Sequence, residues 1–362
     1  MLRRALALLI LWSVYAGACW ADELDAYIRH EMGVRKIPGL AFAVTDHGKI
    51  AVQRAYGSAN LETDTPLDTN GVFEIASVTK PFTATAIMLL VEDGKIRLGD
   101  PISKFVDHVP AAWNEITVRE LLSHTSGIEG GSWVECDGSP LLNISTRQYF
   151  EQIAKSPLQF APGTSAAYSD SGYFLLGMII EKVSGMRYSE FMQRRVFSPF
   201  GMTSTSILDR RVIVKKHVSE YTLHEGQLQH ERRVWQHDLP SFFGMLSTAG
   251  DLAKWNIALT EGRVLRPETL KQMWTATRVK DGQMAQVDGL PYGLGWFVWE
   301  AKGHRVVGHP GFLGSVMFNF VDDKYALIVL TNLDVASGIS HEVIIGQGIV
   351  AHLRPDLPRF IP

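Results

Sequence analysis

The run Ser77-Val-Thr-Lys-Pro-Phe-Thr-Ala-Thr-Ala-Ile-Met-Leu-Leu-Val-Glu-Asp-Gly94 constrains the fold of this chain more than any other segment. It reads as a buried helix closed by Gly94, and Pro81 fits such a helix only in its first turn, where no intrahelical N–H is required. The proline therefore pins the helix start close to Ser77. A hydroxyl there lies at the positive end of the helix dipole, beside first-turn N–H groups that can face a developing oxyanion. Lys80 follows three residues on and shares a helix face with Ser77. Burial pushes a lysine towards its neutral form, which can take the proton of a serine hydroxyl, so the pair is a candidate nucleophile with its own base. Taken alone, Ser-x-x-Lys is a weak pattern that equally describes an N-capping serine followed by a solvated lysine.

Two further segments strengthen it. Tyr168-Ser169-Asp170 follows Ala161-Pro-Gly-Thr-Ser-Ala-Ala and precedes the apolar Ser171-Gly-Tyr-Phe-Leu-Leu-Gly-Met-Ile-Ile, which puts a tyrosine on a loop just before a helix. His309-Pro310-Gly311 lies between Arg305-Val-Val-Gly and Phe312-Leu-Gly-Ser-Val, where a strand would carry it. With three such motifs in this order, the chain resembles the serine β-lactamase and penicillin-binding protein superfamily. The likeness is strongest to the class C β-lactamase-like branch, which also holds D,D-peptidases, D-aminopeptidases and esterases. The motifs of that family are Ser-x-x-Lys, Tyr-x-Asn, and Lys-Thr-Gly or His-x-Gly. Supporting phrases agree: Leu122-Ser-His-Thr-Ser-Gly127, Phe160-Ala-Pro-Gly163, Gly244-Met-Leu-Ser-Thr-Ala-Gly-Asp-Leu-Ala253, Tyr292-Gly-Leu-Gly-Trp296 and Leu330-Thr-Asn332. The likeness extends over about residues 24–350.

The resemblance implies that Ser77 attacks an acyl carbonyl, while its own N–H and that of Phe312, just after Gly311, form an oxyanion hole. Lys80 and Tyr168 would share the proton work, with Tyr168 kept acidic by the nearby ammonium or accepting through it. As coupled titrating groups, they leave open which one is the base. Water activated by the same two residues would then hydrolyse the acyl-enzyme. Two departures limit the inheritance. Asp170 replaces the usual asparagine, turning an amide donor into a carboxylate that could pair with Lys80 or recognise a cationic group. Pro310 stands where lactamases and D,D-peptidases have threonine, removing a hydroxyl and an N–H that could hold a substrate carboxylate. Both changes favour an esterase or amidase over a β-lactamase or D-alanyl-D-alanine carboxypeptidase, with His309 offering imidazole donors near the leaving group. A penicillin-recognising binding domain without turnover is the competing class, and joint retention of Ser77, Lys80 and Tyr168 speaks against it.

Other chemistries find less support. The histidines 217, 224, 230 and 237 sit in a polar stretch without ligand spacing, so neither a metal nor a cofactor is expected. His124 reads as a brace for its own loop. No Gly-x-Ser-x-Gly elbow and no glycine-rich phosphate loop occurs, and Gly293 and Gly295 fit a strand packed closely under the site. Trp235, Trp255, Trp274, Trp296 and Trp299 read as core or cleft-wall aromatics. Asn143-Ile-Ser145 would accept a glycan only in a eukaryotic secretory route.

The 362 residues are 46% hydrophobic, an ordinary globular balance in a chain long enough for one large core or two sub-domains. Arg3-Arg4, an apolar stretch from Ala5 to Val14 and small residues before Cys19-Trp20-Ala21 have the layout of a signal peptide spanning residues 1–21. The expected location is therefore periplasmic or secreted. Cleavage after Ala21 would remove two arginines and no acid, taking the net charge of −3 to −5. Such a charge gives no footprint for nucleic acid. Membrane contact is expected only if Cys19 carries a lipid, and Ala16 stands where such signals prefer leucine. Cys136, in a turn-rich segment, reads as a loop thiol. The expected partner is a small-molecule or peptide acyl substrate; oligomeric state is not legible.

The coarse pattern predicts an α+β fold, an α/β/α sandwich. A helix over 23–32 and a hairpin (39–45, 50–56) across Asp46-His-Gly48 open it. Helices follow at 77–93, 117–123, 146–155, 172–184, 188–197, 248–260 and 267–274. Strands at 293–300, 304–309, 314–321 and 325–332 and a helix near 337–352 close it. Terminal and late strands would form one antiparallel sheet (about 22–72 and 249–353), and about 73–248 would form a mainly helical sub-domain, within one catalytic unit over 22–362. The three motifs would meet in the cleft between them.

Overall fold

Alternation along the central strands decides the architecture. In the strand Gly39–Asp46, Leu40, Phe42 and Val44 point into one hydrophobic cluster, and Ala41 and Ala43 into another. Tyr325–Thr331 repeats this division, with Leu327 and Val329 on the first side and Ile328 and Leu330 on the second. A sheet that is apolar on both faces must be covered on both. On the first face lie the helix over 23–35, through Leu24, Ile28 and Met32, and the helix His341–Leu353, through Val343, Ile345 and Ile349. On the second face the helix Ala249–Thr260 packs against Gly39–Asp46, where alanines leave it room. The computed structural model describes residues 23–130, 145–231, 238–334 and 340–360. The expected leader with Cys19, and also Cys136, Asn143, Trp235 and His237, fall outside the described residues.

The sheet has seven antiparallel strands in the spatial order Phe297–Ala301, His304–Gly311, Ser315–Phe320, Tyr325–Thr331, Gly39–Asp46, Lys49–Asn60, Thr65–Pro66. The chain's two ends are joined where Leu40 faces Thr331 and Asp46 faces Tyr325. The N-terminal hairpin closes as expected at His47-Gly48, both at positive φ, the geometry that matches the strands' twist. All four late strands form; the first begins at Phe297, because Gly295 at φ +86° interrupts the extended run.

The middle of the chain is not helical throughout. Phe73–Glu74 and Ser206–Ile207 flank Met245–Ser247 in a small sheet, and Tyr221–His224 pairs with Gln227–His230. Pairings this short leave no periodic trace in the sequence. The helix expected over 172–184 spans Asp170–Ser184, because Ser169 caps it through the Gly172 N–H. No helix of the described residues is long and apolar enough to cross a membrane.

Candidate active site

Ser77 lies in a 3₁₀ turn, Ala76–Val78, just ahead of the helix Thr79–Glu92 rather than inside its first turn. Ala76 holds φ at +43°, a left-handed conformation that a residue with a Cβ rarely adopts. The strained link turns the chain so that Ser77 is half-exposed while Ala76 and Val78 are buried. Pro81 occupies the first helical turn as the sequence requires, and Gly94 follows the helix at φ +71°.

Lys80 has no exposed surface. Its ammonium carries three hydrogens and meets three oxygens. It donates to Ser77 Oγ at 3.1 Å and to the Phe242 carbonyl at 3.0 Å, and pairs with Asp170 Oδ1 at 2.6 Å. The Tyr168, Tyr173 and Phe242 rings surround Nζ, with centroids at 4.6, 5.6 and 5.8 Å, and favour a cation. Burial nevertheless pushes Lys80 below its ordinary range, with Asp170 opposing, and pushes the Asp170 carboxyl above its own, with Lys80 opposing.

Tyr168 is half-buried on the loop before the helix Asp170–Ser184, with its hydroxyl close enough to Ser77 to interact with it. The phenol is not made acidic by the ammonium. Burial first, and the Asp170 charge second, hold it well above the usual range, so at neutral pH it carries its proton.

The third motif is placed beside Ser77 but behaves differently. Gly311 ends the strand His304–Gly311, and a Cβ there would come within 2.5 Å of the Ile75 carbonyl and 3.2 Å of the Ser77 nitrogen. Only glycine lets this strand approach the Ser77 turn so closely. Ser315 Oγ, donating to the Ile75 carbonyl at 2.8 Å, fastens the contact. Phe312, half-buried, is the next residue. His309 corrects the expectation of free imidazole donors. Its ring is 1% exposed, with Nδ1 2.6 Å from the Pro310 carbonyl and Nε2 3.1 Å from the Tyr292 hydroxyl. A carbonyl only accepts, so Nδ1 carries the proton. Burial, then the Lys80 charge, lower the pKa to about 3, so the ring is neutral and Nε2 accepts from Tyr292.

The structure thus gathers Ser77, Lys80, Tyr168, Asp170 and Gly311 into one cluster. The Phe242 carbonyl, Tyr173, Tyr292 and strained Ala76 join it without a sequence signal, except that Tyr292 opens the phrase Tyr292-Gly-Leu-Gly-Trp296. Gly295 does lie closely under the site, where a Cβ would strike Ala84, although in a turn rather than a strand. Trp255, Trp274, Trp296 and Trp299 are buried core aromatics. His217, His224 and His230 are exposed or half-exposed, and no set of three metal-type side chains forms among the described residues. A cavity of about 280 Å³ lined by Thr164, Ser165, Ala166, Gln283 and Ala285 lies beside the Tyr168 loop; neither Ser77 nor Lys80 lines it.

The family model "Beta-lactamase" matches residues 24–344. Penicillin-binding protein 4* of Bacillus subtilis (strain 168) is 28% identical over 306 residues, which are 79% of this chain and 66% of that protein, so this chain spans slightly under two thirds of the relative. Among solved structures, the octameric penicillin-binding protein homologue from Pyrococcus abyssi aligns with a TM-score of 0.79 at 28% identity, covering 92% of this chain and 77% of that one. The D-amino acid amidase from Ochrobactrum anthropi SV3, complexed with L-phenylalanine amide, shares the fold with a TM-score of 0.79 at 23% identity, covering 92% and 99% of the two chains.

Proposed function

The chain belongs to the Beta-lactamase family, and from that premise we propose that it is a serine acyl hydrolase whose Ser77 takes the acyl group of an ester or amide. The observation that carries this reading is a fully buried lysine donating to Ser77 Oγ at 3.1 Å. A solvated lysine beside an N-capping serine would have neither feature. In the fraction with a neutral Lys80 amine, the Ser77 proton passes to Nζ, directly or through the Tyr168 hydroxyl, as Oγ bonds to the acyl carbon. The oxyanion is received by the Ser77 N–H and the Phe312 N–H, held together by the Gly311 contact. Tyr168, still protonated, hands a proton to the departing alcohol or amine and recovers it from Lys80. Water reverses these transfers and frees the acid. The site residues need no further group for this cycle.

Substrate class follows from the two departures. Asp170 pairs with Lys80 and offers only acceptors where an amide would donate to a substrate carbonyl. Pro310 supplies neither hydroxyl nor N–H for a substrate carboxylate. Esters and amides without that carboxylate are therefore preferred over β-lactams and D-alanyl-D-alanine peptides, and we place the mature enzyme outside the cytoplasm, after removal of residues 1–21. A panel of p-nitrophenyl esters, D-amino-acid amides, D-alanyl-D-alanine peptides and nitrocefin tests this. Short-chain aryl esters should give a higher kcat/KM than nitrocefin, and Pro310→Thr should raise the relative rate on carboxylate-bearing substrates. Nitrocefin hydrolysis faster than every ester would replace this reading with a β-lactamase; covalent labelling of Ser77 without turnover on any substrate would replace it with a binding domain.

A further inference from the structure

The loop that carries Tyr168 makes its own turn at Ala161–Thr164, but the Tyr168 end of it is held by other segments. Thr125, Glu129, Gly130 and Lys280 tie its two ends, and the residues on either side of Tyr168 are both held by His124, just past the short helix Val118–Leu122. His124 adopts φ +59°, and its backbone carbonyl accepts the Ala167 N–H at 3.0 Å. Its ring nitrogen Nδ1 accepts the Ser169 N–H at 3.1 Å. These bonds grip the residues immediately before and after Tyr168. The ring itself lies against the Tyr168 ring, with centroids 4.5 Å apart, and Tyr173 and Tyr292 close around it at 5.1 and 4.7 Å. Backbone and side chain of one residue thus fix Tyr168 on both sides and on one face.

We propose that His124 is a positioning residue for Tyr168, acting as a neutral Nε2–H imidazole whose Nδ1 lone pair and ring together hold the phenol at Ser77. The inference rests on the reading above in which Tyr168 moves the Ser77 proton. The tautomer follows from the contact: a backbone N–H can only donate, so Nδ1 must bear the lone pair and the proton sits on Nε2. Nε2 has no hydrogen-bond partner among the described residues, and the ring is 1% exposed. Protonation at Nδ1 would break the bond to Ser169. Burial, and then the Lys80 charge, keep His124 far below the ordinary imidazole range and prevent this. A brace needing only bulk would fit a leucine, and one needing only the left-handed turn would fit a glycine. This geometry asks for a hydrogen-bond acceptor at the Nδ1 position on a residue that tolerates positive φ. Asparagine meets both demands, since its Oδ1 occupies that position.

The test is a double-mutant cycle with Tyr168→Phe, read in kcat, KM and the rate of Ser77 labelling by a fluorophosphonate. His124→Leu should lower kcat and the labelling rate together by about 10²-fold, the scale of a 1 Å misplacement, with KM little changed. His124→Asn should recover most of that loss. In the Tyr168→Phe background, His124→Leu should cost little more, because the group it positions is already gone. Losses that simply multiply, or no recovery with asparagine, would overturn the proposal. Near-normal activity of Tyr168→Phe alone would instead sink the role of Tyr168, so the two failures are distinguishable. ¹⁵N NMR of the unmutated enzyme does not depend on variant folding: His124 should remain a neutral Nε2–H ring from pH 5 to 9, and an Nδ1–H tautomer or a protonated ring in that range would contradict the assignment.

Discussion

Two buried clusters of polar groups meet at this site and solve the problem of burial in opposite ways. Around Lys80, charge is kept: the ammonium pairs with Asp170 at 2.6 Å, and Ser77 and Tyr168 stay half-exposed. Around His309, charge is expelled: the imidazole is neutral and closed off by its bonds to the Pro310 carbonyl and the Tyr292 hydroxyl. A buried charge is costly unless paired, and a buried neutral ring is costly only if left unbonded. The first cluster therefore stores reactive proton acceptors and donors next to solvent. The second serves as a rigid wall that sets where Gly311 and Phe312 lie. On the proposed mechanism, three motifs that are equivalent on the page of sequence divide into two that carry protons and one that carries shape.

That division can be broken experimentally. The largest effects belong to the charged cluster: Lys80→Ala and Tyr168→Phe should each lower kcat by about 10²-fold or more, the usual scale for a positioned acid–base group. Near-normal steady-state rates in both variants would put the proton path elsewhere. Asp170→Asn should act on pH dependence more than on the maximal rate. The Asp170 charge holds the proton on Lys80, so removing it lowers the lysine pKa further, and the rise of kcat/KM with pH should move to lower pH. An unmoved rise, with an alkaline fall of kcat/KM shifted to lower pH in its place, would mean that the active form is the ammonium.

Smaller effects belong to the neutral cluster. His309→Asn should cost less than the ~10² of a proton-carrying group and appear mainly as lower thermal stability. A loss matching that of Lys80→Ala would make His309 a participant in chemistry. Buried neutral histidines, His309 here and His341 bonded to Thr331 Oγ1, also bear on acid stability. His309 and His341 have pKa values near 3 and 4 in the folded protein against 6.5 for an ordinary imidazole. Below pH 6.5 the unfolded chain binds protons that the folded one refuses, so each ring withdraws about 1.4 kcal/mol of stability per pH unit as acid is added. Glu342, held near 8 by burial, has the opposite sign between 4.5 and 8 and offsets one of them. Because other buried carboxyls act in the same sense as Glu342, the histidine share is read by difference: His341→Asn should lose less melting temperature between pH 6.5 and 4.5 than the unmutated enzyme, and an equal loss would show that His341 is not buried neutral.

Local chemistry was legible in the sequence wherever one segment carries it. Pro81 and Gly94 bound the helix that presents Lys80, the runs on either side of Asp46-His-Gly48 marked the N-terminal hairpin, and motif order brought Tyr168 and Gly311 to Ser77. What was not legible depends on backbone conformation or on distant contacts. The left-handed Ala76 has no composition signal, and the Phe242 carbonyl is a main-chain group that any residue would provide. His309 was misread as offering free donors near the leaving group because its partners, Tyr292 and its own neighbour's carbonyl, become visible only when the strand is folded. The direction of the Tyr168 shift was missed for the same reason: burial and Asp170 outweigh the ammonium, and sequence gives proximity without relative weight.

The most direct measurement is intact-protein and peptide mass spectrometry after brief exposure to a fluorophosphonate or an activated aryl ester. The mass of one phosphonyl or acyl group should be added, located on Ser77, and absent from Ser77→Ala, which should also have no turnover. An adduct that persists at the unmutated level in Ser77→Ala, or that maps to another residue, would contradict a Ser77 acyl-enzyme.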